Sequence, residues 1–150
     1  MIGLLQRVSR ASVSVAGEQI AAIGTGLLVL VGVERNDSEV QVRRLLERLL
    51  AYRVFPDDAG RMNRDLCEIG GGLLLVPQFT LAANTHKGNR PGFASAAAPE
   101  LGRELFETLC SLARAAYPKV ASGSFCADMQ VHLVNDGPVT FLLQVSGETD

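Results

Sequence analysis

Through the first 35 residues β-branched and polar positions alternate. Arg7 to Val15 reads as a strand on which Val13 and Val15 share one face while Ser12 and Ser14 share the other. Residues 16–19 carry hairpin-turn chemistry, and Gly24-Thr25-Gly26 marks a second turn before the continuous apolar run 27–33, the pattern of a buried strand. From Glu39 to Tyr52 the period becomes helical. Val42, Leu45, Leu46, Leu49 and Leu50 form one stripe, with Asp37 and Ser38 where an N-cap belongs. Arg43, Arg44, Glu47 and Arg48 take the other face, which reads as solvated surface with weak ion pairs rather than as an RNA contact.

Val54-Phe55 opens an extended segment that ends in a turn at 56–60. Gly70-Gly71-Gly72 introduces the apolar strand 73–76, which runs on into Pro77-Gln78-Phe79-Thr80-Leu81. After a polar loop at 84–93, Pro99 opens the second main helix, with Leu101, Leu105, Phe106, Leu109 and Leu112 facing inward. Two strands, 124–134 and 139–145, are expected to close the chain, joined by a turn at Asn135-Asp136-Gly137-Pro138. This order predicts one mixed α/β domain over residues 1–150, with largely antiparallel strands and two main helices.

Composition narrows the class of partner. With 47% hydrophobic and 20% charged residues the chain sustains a packed core. Fourteen basic against sixteen acidic residues leave a net charge of −2, which argues against general duplex binding, so DNA is not expected. A local pocket for one end of a nucleic acid stays open. Cys67, Cys110 and Cys126 form no CxxC pair and suit a reducing cytoplasm. Cys110 mid-helix and Cys126 mid-strand read as small buried hydrophobes. The longest apolar run, 26–33, is well short of the ~20 residues of a membrane span, and no signal peptide is visible.

Candidate chemistry is sparse. No GxSxG elbow, HExxH helix or zinc-type cysteine pairing occurs, so neither a metal nor a cofactor is expected. Gly24-Thr25-Gly26 precedes a strand, not the helix that would hold a pyrophosphate. His86 reads as an exposed loop residue and His132 as a structural strand residue. Two places break a local rule. Pro77 must end its strand or lie at an edge, leaving Gln78, Phe79 and Thr80 either to line a pocket or simply to exit the core. Gly137-Pro138 forfeits a ladder hydrogen bond at a turn, and the bond before such a proline is cis or trans.

Taken together, four segments resemble the D-aminoacyl-tRNA deacylase family. They are Gln6 to Val13, Val76-Pro77-Gln78-Phe79-Thr80-Leu81-Ala82-Ala83, Asn89-Arg90-Pro91-Gly92-Phe93, and Ala127 to Val131 with Asn135-Asp136-Gly137-Pro138-Val139-Thr140. The likeness covers about residues 1–145 with the motifs in the same order. It implies that family's fold and a homodimer that hydrolyses the ester between a D-amino acid and the acceptor end of tRNA. Glycyl-tRNA would also be cleaved and L-aminoacyl esters spared. Gln78, Phe79 and Thr80 would be the catalytic segment. Gly137-Pro138 would be a Gly-cisPro motif inserted into the partner's site, steadied by Arg7. Phe125 and Met129 would lie near the terminal adenosine, with Asn89, Arg90 and Pro91 bordering the nucleotide.

The resemblance allows two routes. Thr80 attacks as a nucleophile, or the tRNA 2′-hydroxyl activates water while the Phe79 and Thr80 backbone holds the ester. The absence of a base in nearby sequence favours the second. Two departures stand out: Pro77 replaces the family's usual Ser, and Gly92 replaces the Ser after Arg90-Pro91. A binding-only RNA-end module and an amidase using Thr80 are the rival readings.

Overall fold

A computed structural model describes residues 1–147; residues 148–150 of the expected domain lie outside them. The elements run β1 (Ile2–Val15), β2 (Glu18–Ile23), β3 (Gly26–Gly32), α1 (Glu39–Ala51), β4 (Phe55–Pro56), β5 (Met62–Arg64), α2 (Leu66–Ile69), β6 (Gly72–Pro77), a 3-10 turn (Phe79–Ala82), α3 (Pro99–Ala116), β7 (Val120–Ser122) and β8 (Met129–Gln144). The main sheet has the order β2-β1-β3-β6-β7, with β8 also on β1. Pairs made by β1 are antiparallel, whereas β3–β6 and β6–β7 are parallel, so the sheet is mixed.

The central strands are apolar throughout because both their faces are covered. Leu27, Val29, Val31, Leu73 and Leu75 pack in a cluster with Val42, Leu45 and Leu49 of α1 and with Leu105, Phe106 and Leu109 of α3. The alternate residues Leu28, Leu74 and Val76 join Val8, Ala11 and Val13 in a second cluster. Truncating one of these fully buried leucines to alanine costs about 2–5 kcal/mol. On the wet side of α1, Arg43 pairs with Glu39 and Arg44 with Glu47, all exposed.

Ser38 is the N-cap of α1: its hydroxyl accepts from Val40 N, and Gln41 Oε1 accepts from Ser38 N at 2.8 Å. Asp37, the other cap candidate, answers a stronger donor. Its carboxylate accepts from the Met1 ammonium at 2.7 Å and from Glu34 N at 2.7 Å. The same ammonium donates to Glu34 Oε2 at 3.0 Å and to the Val145 carbonyl at 2.7 Å.

Two expectations are corrected. The end of the chain is one strand, not two joined by a reversing turn, for β8 runs antiparallel along β1 from Val15↔Met129 to Ile2↔Gln144. The ladder skips: Gln6 pairs with Thr140 and Val8 with Asn135, so Arg7 alone faces Asp136, Gly137, Pro138 and Val139. Turn residues here make a bulge, because β1 offers a long edge that continues on both sides of it. The segment 124–128 is likewise not strand. Ala127 N donates to the Ser124 carbonyl at 3.3 Å, closing a turn in which Cys126 is exposed with φ +63°, not a buried strand residue. Cys110 in α3 is buried as expected.

Candidate active site

Pro77 ends β6 at its pairing with Val31, and the next N–H, that of Gln78, donates to the Val31 carbonyl at 2.8 Å. The chain then leaves the sheet in the 3-10 turn, whose Leu81 N donates to the Gln78 carbonyl at 3.1 Å. Gly32 makes this packing possible. A Cβ there would lie 2.9 Å from Leu81 Cβ and 3.4 Å from Ala82 N. As first-turn residues, Phe79 and Thr80 have N–H groups without an intrahelical acceptor. The Gln78 amide Nε2 donates to Thr80 Oγ1 at 2.5 Å.

Beside this turn lies a cavity of about 550 Å³, lined by Gln78 and Phe79, by Pro99 and Gly102 of α3, and by Phe125 and Met129. Val31 and Val76 contribute its apolar floor. Phe125 is held by the Phe106 ring at 6.4 Å and by the Arg103 guanidinium 5.1 Å from its ring centre. Met129 Sδ accepts from Ser124 N at 3.4 Å. A wider groove of about 670 Å³ runs along α3, where Glu100, Glu104 and Glu107 outnumber Arg103, a net acidic lining that disfavours a phosphate chain. Burial pushes the Cys110 thiol up, which leaves it the inert thiol of a core residue.

The loop after the turn folds back on itself. Asn84 N donates to the Gly92 carbonyl at 2.7 Å, and Gly92 N returns a bond to Asn84 O at 3.0 Å. Asn89, Arg90 and Pro91 are exposed on this loop, outside the cavity lining. The loop reaches the site through Phe93, whose ring lies 5.4 Å from that of Phe79 at 40°. These rings are 44% and 60% exposed, unusual for aromatic residues that touch each other beside a cavity. In the sequence Phe93 stands only as the end of Asn89-Arg90-Pro91-Gly92-Phe93, with no role of its own. Its position two residues after Pro91 in a loop of small and polar residues was the available signal.

The third group stands apart. The Gly137-Pro138 peptide bond is cis, and Gly137 has φ +146°, a backbone conformation that favours glycine. Arg7 reaches into the bulge, its Nε donating to the Asp136 carbonyl at 2.8 Å and its Nη1 to that of Val54 at 2.8 Å. Among the described residues, Arg7, Gly137 and Pro138 are not part of the lining of the cavity beside Gln78. The fold therefore gathers Gln78, Phe79, Phe125 and Met129 at one cavity, attaches Thr80 to it through Gln78, and presents Gly137-Pro138 elsewhere on its own surface. Among the described residues no three His, Cys, Asp or Glu side chains gather as metal ligands would, and no helix is long and apolar enough to cross a membrane.

Comparison with known proteins gives a consistent answer. Residues 4–144 match the family model described as D-Tyr-tRNA(Tyr) deacylase. A D-aminoacyl-tRNA deacylase of Alkalilimnicola ehrlichii is 63% identical over 144 residues, covering 96% of each chain. One from Pseudomonas putida is 63% identical over 145 residues, covering 97% of this chain and all of its own. Among solved structures, one titled c-Myc DNA Unwinding Element Binding Protein superposes with TM-score 0.93 at 37% identity, covering 98% of this chain and 100% of that one. A probable eukaryotic D-amino acid tRNA deacylase superposes at 0.84 with 18% identity over 96% of this chain and 98% of its own, a likeness of fold.

Proposed function

Because the chain belongs to the D-Tyr-tRNA(Tyr) deacylase family and is a D-aminoacyl-tRNA deacylase, we propose that it acts as a cytoplasmic homodimer on the acceptor end of tRNA, each cavity completed by the partner's bulge. One observation carries this reading. Gly137 and Pro138 are exposed, anchored by Arg7, and absent from the lining of the cavity that holds Gln78 and Phe79. A rigid backbone projection with no cavity of its own to serve suits insertion into a second copy.

In that site the aminoacyl ester lies against the 3-10 turn. The N–H groups of Phe79 and Thr80 face the carbonyl oxygen, where a donor is worth most once the oxygen carries charge. An aminoacyl ester is already activated, so holding it beside a positioned water accounts for much of the rate. Physical grounds argue against the Thr80 hydroxyl as nucleophile: among the described residues its hydrogen-bond partner is the Gln78 amide, which cannot take a proton. The 2′-hydroxyl of the terminal adenosine then orients the attacking water and relays its proton to the departing 3′-oxygen, releasing the amino acid and the 3′-hydroxyl, and Thr80 serves through its main chain. Phe125 and Met129 flank the adenosine, and Asn89, Arg90 and Pro91 border the nucleotides before it.

Selection follows from collision. The Gly137-Pro138 backbone faces the substrate α-carbon, so an L side chain points into main chain while a D side chain points away. Glycine has nothing to collide and is cleaved too. A net charge of −2 agrees with recognition of one RNA end rather than of a long duplex.

The test is deacylation by the purified protein of tRNA charged with D-tyrosine, L-tyrosine or glycine. Release of D-tyrosine and glycine with the L-ester intact is expected. Binding without turnover, or equal cleavage of both tyrosyl esters, would overturn the reading.

A further inference from the structure

We infer that Asn135 is a positioning residue for the Gly137-Pro138 wedge, and through it for the choice between mirror-image esters; the inference rests on the function proposed above. Where the β1–β8 ladder is interrupted, between Gln6↔Thr140 and Val8↔Asn135, the four residues from Asp136 to Val139 have no register partner on β1 among the described residues. Side chains supply the missing restraint from both sides. Arg7 holds the Asp136 carbonyl from β1 at 2.8 Å. Asn135 acts from β8 itself.

Its Oδ1 accepts from Val139 N at 2.6 Å, and its Nδ2 donates to Thr140 Oγ1 at 2.9 Å and to the Val139 carbonyl at 3.4 Å. The residue before the bulge is thus tied to the two that follow it, across Asp136, Gly137 and Pro138. Asparagine suits the task because one short side chain offers both an acceptor and a forked donor. Val139 is the right residue to hold. It is only 7% exposed, anchored in the main core cluster, and a Cβ on Gly137 would meet Val139 Cγ2 at 2.6 Å and Val139 N at 2.9 Å. Fixing Val139 N therefore fixes the immediate neighbour of the wedge. Asn135 is not among the residues lining the cavity beside Gln78, and its side-chain bonds run to the residues that follow the wedge.

Rejection by collision is steep in distance, and a wedge displaced by about 1 Å forfeits about 10²-fold in a positioned reaction. Loosening Asn135 should therefore change which ester is cleaved, not merely how fast. The experiment measures kcat/KM for D-tyrosyl- and L-tyrosyl-tRNA with the wild type, Asn135→Ala, Asn135→Asp and Thr140→Val, alongside each thermal midpoint. The D-over-L ratio of Asn135→Ala should fall at least about tenfold, the loss of about 1.4 kcal/mol of discrimination. Asn135→Asp keeps the acceptor for Val139 N and can accept from the Thr140 hydroxyl, but it loses the donor to the Val139 carbonyl, so it should restore the ratio only in part. Thr140→Val removes an exposed hydroxyl only and should lower the ratio by a smaller factor, which keeps the inference open to refutation if Asn135→Ala does not fold.

A folded Asn135→Ala whose two rates fall together with the ratio intact would overturn the inference and leave Asn135 a structural residue. So would an unchanged ratio in Thr140→Val. A wild type that does not distinguish the two esters would instead overturn the proposed function, before any variant is compared.

Discussion

Arg7 and Asp136 meet across the interruption of the β1–β8 ladder, the Arg7 Nε donating to the Asp136 carbonyl at 2.8 Å. The same guanidinium donates through Nη1 to the Val54 carbonyl at 2.8 Å, so one side chain joins the bulge to the segment after α1. The Arg7 side chain is largely buried, at 13% exposure, and its bond to Val54 is partly shielded while that to Asp136 lies at the surface.

Replacing Arg7 with lysine keeps the charge but not the fork. A single ammonium cannot satisfy two divergent carbonyls in the planar geometry that a guanidinium fixes. Arg7→Lys should lower D-aminoacyl-tRNA deacylation about tenfold and stability by about 1–2 kcal/mol, the cost of one unmet carbonyl. Steady-state deacylation and a denaturation curve check the two halves. Wild-type values in both would show that the bulge holds itself.

At Gly137 the obstacle is steric. A Cβ would lie 2.6 Å from Val139 Cγ2 and 2.9 Å from Val139 N, on a residue with φ +146°. Because Val139 belongs to the main core cluster, Gly137→Ala should both shift the wedge and disturb the core beside it. Deacylation of D-tyrosyl-tRNA should fall about 10²-fold, and the melting temperature should fall as well. A fully active variant would remove the wedge from the account.

Much of this architecture was legible in the sequence because it follows from periodicity. The α1 stripe, the Pro99 start of α3 and the two-sided apolar strands at 27–33 and 73–76 all match the core clusters. Pro77 ends β6 as its missing N–H required. What periodicity could not decide was whether Asn135-Asp136-Gly137-Pro138 reverses the chain or bulges from it, since the same turn residues serve both. The length of β1, a non-local fact, decides it. Asp37 misled for a similar reason: a cap and an ion-pair acceptor need the same short carboxylate, and the partner is 36 residues away. Cys126 falls within the expected strand 124–134, but the turn closed by the Ser124–Ala127 bond takes it out of the sheet. At the site, the motif Gln78-Phe79-Thr80 was visible, whereas the Phe79–Phe93 contact belongs to loop closure through Asn84 and Gly92.

The Asp37 contact makes its own prediction. Met1 is fully buried and Asp37 is 7% exposed, so removing the carboxylate leaves a buried ammonium with one acidic partner, Glu34, and strips Glu34 N of its acceptor. Asp37→Ala should destabilise by about 3–5 kcal/mol, read as a lower denaturant midpoint at unchanged slope. A loss under about 1 kcal/mol would mean that Glu34 and the Val145 carbonyl suffice.

Thiol chemistry provides a probe of the cavity. Cys126 is exposed and lines it; Cys67 is exposed too, but local desolvation and Asp65 push its thiol up, and burial pushes up that of Cys110. Iodoacetamide should therefore modify Cys126 first, and deacylation should fall in step with that labelling. Cys126→Ser should retain activity after the same treatment. Labelling of Cys126 with activity intact would place the substrate elsewhere.

Thr80 decides between the two chemical routes. A threonine nucleophile must pass its proton to a base, and its hydroxyl sits 2.5 Å from the Gln78 amide, a group with no basic lone pair at neutral pH. The backbone N–H of residue 80 is present whatever its side chain. Thr80→Ala should therefore keep activity within about tenfold of wild type, because only a neutral hydrogen bond of about 1 kcal/mol is lost. By contrast, tRNA ending in 2′-deoxyadenosine, charged on its 3′-hydroxyl, should be cleaved at least about 10²-fold more slowly, the share that a positioned proton-transfer group contributes. The two measurements oppose each other: a nucleophilic threonine predicts a dead Thr80→Ala and a good deoxy substrate. That pattern would move the proton chemistry from the RNA to the protein, and the search for a base would then turn to groups the partner brings to the cavity.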